Sequence, residues 1–211
     1  LNLFGSRMVM HLLSFSFILP LPDGQCVKLR KFLRCAQSTV HKYIKTALTG
    51  GFLHDFSAAL NGADIFLDYA HTPDGLKTTL NSMRRICEGK LYCLFGCGGN
   101  REKEKRSVMG EISGVIADFT IITSDNPRYE DPCLIISEIE KGIRRVTRNY
   151  VTVSDRKSAL VYAISLLKDG DVLVVAGKGA ESYQEIMGVK RDFSDEAEIR
   201  SAIARIEGEN S

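Results

Sequence analysis

From Ala63 onward, short apolar runs alternate with segments whose apolar residues recur at helical spacing. The runs at residues 65–67, 91–95, 119–123, 151–153 and 172–175 have the length and β-branched or aromatic content of buried strands. Between them, Leu76, Leu80, Met83 and Cys87 make one helical stripe, and Val108, Ile112 and Ile116 a second. Leu134 or Ile135, with Ile139, Ile143 and Val146, make a third. Ala159, Leu160, Ala163, Ile164 and Leu167 make a fourth, entered through Ser154 and ended near Gly170. A last helix is expected over about residues 195–206, opened by a capping box at Asp195-x-x-Glu198. Strands that alternate with helices build right-handed βαβ units. The expected fold is therefore α/β, a mostly parallel sheet with flanking helices, over residues 63–211.

Such sheets bind ligands at the carboxyl ends of their strands, and four loops fall there. The first is Asp68-Tyr69-Ala70-His71-Thr72-Pro73-Asp74, in which Thr72 suits a helix cap and Pro73 the first helical position. Asp68 and His71 are its candidate functional groups. The second loop, residues 96–106, combines glycines with Arg101, Lys103, Lys105 and Arg106. Its glycines allow close backbone approach and its cations suit an anion. It is neither a P-loop nor a dinucleotide fingerprint, since Arg101 stands where Gly96-x-Gly98 would need a third glycine. A nicotinamide-binding reading rests on that fragment alone. In the third loop, residues 124–132, Pro127 favours an extended Asn126, and Arg128 offers a planar fork to a carboxylate. The alternative is a surface pair of Arg128 with Glu130 or Asp131. In the fourth, Gly177 and Gly179 flank Lys178 in a turn needing positive φ, and Glu181 is placed to receive an ammonium group. Together these groups suit a zwitterionic amino acid with more than one carboxylate.

The net charge of +2 gives no global pull toward nucleic acid or a membrane surface, and no apolar run is long enough to span a bilayer. Six cysteines without a Cys-x-x-Cys pair, and four histidines, fit neither a zinc site nor a disulfide framework, so a reducing compartment is expected. Residues 1–62 read as a separate N-terminal segment. Residues 8–22 are apolar like a signal-peptide core but lack its charged and small-residue flanks. Residues 15–29 form two strand-like runs about Pro22-Asp23-Gly24, followed by a basic cluster at Lys28, Arg30, Lys31 and Arg34 that reads as a solvated face. Residues 36–60 show no clean periodicity. A first residue other than methionine hints at a fragment.

The four loops, taken with Asp155-Arg156, resemble the C-terminal domain of a Mur ligase. The match runs from about residue 65 to the end, and Asp125-Asn126-Pro127-Arg128 resembles the branch that adds meso-diaminopimelate. The resemblance implies a Rossmann-like domain of a cytoplasmic ligase. That enzyme uses ATP and Mg2+ to join meso-diaminopimelate to the UDP-muramoyl-dipeptide in peptidoglycan synthesis, with central and N-terminal ligase domains as partners. It implies that Asp68 and His71 face the nucleotide, and that Arg101, Asn126, Arg128, Gly177 and Glu181 hold the incoming amino acid. It implies no catalytic or metal-binding residue in this part. A ligand without a second carboxylate would leave Arg128 unpaired, at about 3–5 kcal/mol. Two departures stand out. The family's Gly-Lys-Thr loop is not found in residues 1–64, where residues 15–29 read as a remnant of the central domain, and Ala180 stands where the family usually has histidine. The 211-residue chain alone is therefore expected to form no product, and the alternative function is a non-catalytic binding module.

Overall fold

The computed structural model describes residues 53–209. The features expected for residues 8–34 lie outside this range. Eight strands and five helices follow in the order β1 (Leu53–Leu60), β2 (Ala63–Asp68), α1 (Pro73–Arg84), β3 (Leu91–Phe95), α2 (Glu104–Ile116), β4 (Phe119–Ile122), α3 (Pro132–Ile143), β5 (Tyr150–Thr152), α4 (Arg156–Ser165), β6 (Val172–Ala176), β7 (Tyr183–Ile186), β8 (Val189–Asp192) and α5 (Asp195–Glu209). Six strands form one sheet in the order β1-β2-β6-β3-β4-β5. Only β1 runs antiparallel in it. The expected α/β architecture is the observed one.

Alternation along the strands splits the core in two. Phe66, Cys93, Phe95, Ile122 and Val174 meet α1, α2 and α3 on one face. Ile65, Leu67, Leu94, Ile121 and Val175 meet α4 and α5 on the other. Because both faces are covered, the central strands are apolar throughout rather than alternating. Burial pushes the Cys97 thiol up to about 12, which makes it a packing residue at neutral pH.

Four local expectations are corrected. Residues 53–60 form a strand, joined to β2 by an Asn61-Gly62 turn with φ of 52° and 86°, a hairpin signal missed under the weak periodicity. A second such turn at Met187-Gly188 closes the β7–β8 hairpin. The fully buried residues of α2 are Arg106, Met109, Gly110 and Ser113; of the expected stripe, Ile112 and Ile116 pack against the core half-buried, but Val108 is exposed. The cause is close helix contact: a Cβ on Gly110 would stand 2.2 Å from the Ile139 carbonyl oxygen, and one on Gly142 1.7 Å from that of Ser107. Finally, α5 has no Asp195 capping box. Ser194 takes the capping contacts, to Ala197 N and Glu198 N, while the Asp195 carboxylate is diverted to Arg156. Likewise Asp155 rather than Ser154 caps α4, accepting from Ser158 N at 2.8 Å.

Candidate functional site

The carboxyl ends of β2, β3, β4 and β6 converge on a cleft of about 690 Å3. His71, Arg101, Asn126, Arg128, Gly177 and Glu181 all line it. Asp68 does not. It is buried behind the rim, where it accepts from Thr79 Oγ1 and, at 3.1 Å, from Ala70 N. It thereby pins the loop to α1 as Thr72 caps that helix through Gly75 N.

The loops approach each other closely before any ligand is considered. A Cβ at Gly99 would lie 1.9 Å from the Pro127 carbonyl oxygen, so that glycine serves contact between loops. Gly177 has φ of +110°, and a Cβ there would lie 2.8 Å from Asp125 Oδ2. That oxygen is buried without a hydrogen-bond partner among the described residues.

Asn126 and Glu181 are held by a residue to which the sequence reading gave no role. Lys178 is fully buried, and its Nζ donates to Asn126 Oδ1 at 3.1 Å, Glu181 Oε2 at 3.1 Å and the Tyr183 carbonyl at 2.6 Å. Asn126 Nδ2 donates to the same Glu181 oxygen at 2.8 Å. A lysine flanked by two glycines after the most apolar strand was the available signal. Behind this wall, Arg156 donates bidentately to Asp195 at 2.8 and 2.7 Å, with both side chains fully buried. It also reaches the carbonyls of Ser124 and Ala176, each at 3.3 Å, and so ties the ends of β4 and β6 together. Burial works against the Arg156 charge, but the Asp195 carboxylate together with those of Asp125 and Glu181 outweighs it, and the pKa is raised.

Arg128 does not pair with Glu130 or Asp131. Its Nη1 donates to the Gly99 carbonyl at 2.8 Å, and its Nε lies 3.4 Å from Glu185 Oε2 on β7. The unpaired charge expected for an empty carboxylate site therefore does not arise. Glu130 instead accepts from buried Arg106 at 2.9 and 3.0 Å and from Asn100 N. The Arg106 hydrogen bonds hold its carboxyl down to about 2. Arg101 is exposed on the rim and makes no side-chain hydrogen bond or ion pair among the described residues. Those residues hold no group of three or more His, Cys, Asp or Glu side chains suited to a metal, and no helix long and apolar enough to cross a membrane.

Residues 55–179 match the family model described as Mur ligase, glutamate ligase domain. The chain belongs to the Mur ligase family. Among its Mur ligase relatives, the UDP-N-acetylmuramoyl-L-alanyl-D-glutamate--2,6-diaminopimelate ligase of Rickettsia bellii is 50% identical over 144 residues, which are 67% of this chain and 30% of that protein. The enzyme of the same name from Chlorobium phaeobacteroides is 52% identical over 143 residues, 66% of this chain and 27% of that protein. A solved structure of a ligase of that name superposes with a TM-score of 0.70 at 38% identity, over 74% of this chain and 32% of that one. The chain thus spans less than a third of the length of these Mur ligase relatives.

Proposed function

We propose that this chain is the amino-acid-binding C-terminal part of a cytoplasmic, ATP-dependent ligase. Its reaction joins meso-diaminopimelate to UDP-N-acetylmuramoyl-L-alanyl-D-glutamate, with the central and N-terminal ligase domains as partners. The observation that carries the reading is the convergence of two guanidinium groups, an amide and a carboxylate on one cleft. Diaminopimelate has two carboxylates and two ammonium groups. Arg128 and Arg101 suit the carboxylates, Glu181 an ammonium group, and Asn126 orients the ligand between them. The names of the two bacterial relatives agree with that ligand.

The nucleotide side is assigned to the His71 loop. His71 is exposed on the cleft, with Nδ1 2.8 Å from the Tyr69 carbonyl, and Lys105 Nζ donates to the His71 carbonyl at 2.8 Å. These groups fit the flank of an anionic ligand, and Asp68 acts through the loop it anchors. ATP, when bound, supplies the phosphoryl group that activates the substrate carboxylate. This chain's contribution is to hold and orient the attacking amino acid.

Calorimetry with meso-diaminopimelate and with lysine tests the reading. Diaminopimelate is expected to bind at least about tenfold more tightly, as one charge-assisted contact requires. Arg128→Ala is expected to erase the preference. Equal affinities for the two ligands in the parent chain would contradict it.

A further inference from the structure

Arg128 is the group that would distinguish an amino acid with a second carboxylate from one without. What it faces in the free cleft is a carboxylate of the chain itself. Glu185 Oε2 lies 3.4 Å from Arg128 Nε, and both side chains are about four-fifths buried. The backbones are tied as well: Arg128 N donates to the Glu185 carbonyl at 3.0 Å, and Met187 N to the Arg128 carbonyl at 2.6 Å. Arg128 itself has φ of 52°, unusual for a residue with a side chain. The amide of Glu185 donates to Asn126 Oδ1 at 3.0 Å, so the residue is wired to the same wall that carries Asn126 and Glu181.

We infer that Glu185 is an internal stand-in for the ligand's side-chain carboxylate and sets how strongly the cleft selects for it; the inference rests on the reading of the cleft given above. Two features make the stand-in displaceable. The contact is loose, since 3.4 Å is an ion pair without a short hydrogen bond, whereas a ligand carboxylate can bind the fork bidentately at charge-assisted distances. A second partner is also at hand. Lys190 on β8 stands directly opposite Glu185 in the hairpin register, and its Nζ lies 4.2 Å from the Tyr183 ring. Opposite residues of an antiparallel pair share a face, so Glu185 released from Arg128 meets the Lys190 ammonium.

The consequence is reduced selectivity. With a ligand such as lysine, Arg128 keeps Glu185, and no charge is left unpaired. With diaminopimelate, the incoming carboxylate must displace a like charge. Both effects narrow the gap between the two ligands. Glu185→Gln keeps the size of the side chain and removes its charge. It should raise the diaminopimelate-over-lysine affinity ratio by up to about fivefold, the worth of a partly exposed ion pair. Lys190→Gln removes the alternative partner and should lower that ratio.

The test is calorimetry of the full chain and these variants with meso-diaminopimelate and lysine, with circular dichroism to confirm folding. A higher ratio in Glu185→Gln and a lower one in Lys190→Gln support the inference. A ratio that is unchanged or lower in Glu185→Gln, while Arg128→Ala still erases the preference, overturns the inference and leaves the cleft reading standing. No preference in the parent chain removes both. If Glu185→Gln does not fold, Glu185→Asp, too short to reach Arg128, must raise the ratio, and its failure to do so overturns the inference equally.

Discussion

The two walls of the cleft are built differently. The wall from the β4 and β6 loops and β7 is held by its own hydrogen bonds: Lys178 bonds Asn126, Glu181 and Tyr183, and Arg156 with Asp195 braces it from behind. The wall from the β2 and β3 loops presents Tyr69, His71, Arg101 and Lys105 to solvent. It is tied by a few bonds at its base, among them that of Asp68 to Thr79 and that of Lys105 to the His71 carbonyl. A wall whose polar groups are already fixed can discriminate a small ligand, because little ordering remains to be done on binding. A wall of exposed, lightly tied side chains suits a partner that arrives with its own structure.

The contrast breaks most readily at its buried brace. Asp195→Ala leaves the Arg156 guanidinium buried without its carboxylate and should cost about 3–5 kcal/mol in denaturant unfolding. Lys178→Met comes next. It should cost about 2–3 kcal/mol, for the loss of hydrogen bonds between charged groups, and should weaken diaminopimelate binding together with stability. Glu130→Gln should cost about 2 kcal/mol near pH 7. Its pH dependence follows from the direction of the shift. The folded carboxyl sits at about 2 against an ordinary 4.5, so its stabilisation is complete above about 4.5 and fades as the pH falls toward 2. Urea melts of parent and variant should therefore converge across that window, and a constant difference would show that the carboxylate charge is not the cause. On the open wall, His71→Ala should change stability by less than about 0.5 kcal/mol. An unfolding cost as large as that of Lys178→Met would erase the distinction between the walls.

Much of this was legible in the chain. The apolar runs from residue 65 onward located the central strands, because a sheet covered on both faces must be apolar at successive positions. Loops following such strands share one edge, so the sequence alone groups Arg101, Asn126, Arg128 and Glu181, which all line the cleft. The pairings could not. Arg128 finds Glu185, 57 positions away, through a hairpin whose residues carry little apolar signal. Arg156 draws Asp195 out of an apparent capping box because a fully buried guanidinium needs a carboxylate more than a helix end needs that cap. The phase of α2 was hidden because Gly110 and Gly142 mark the contact by lacking side chains, which a hydrophobic stripe cannot register.

The most direct test of the central claim is a nuclear magnetic resonance titration of the isotope-labelled 211-residue chain with meso-diaminopimelate, following backbone amides and arginine Nε–H groups. The account predicts that the largest shifts fall on residues 98–101, 126–128 and 177–185, with Arg128 Nε among them, and that lysine moves Arg128 far less. Shifts that spare Arg128, or that are the same for both amino acids, would contradict it.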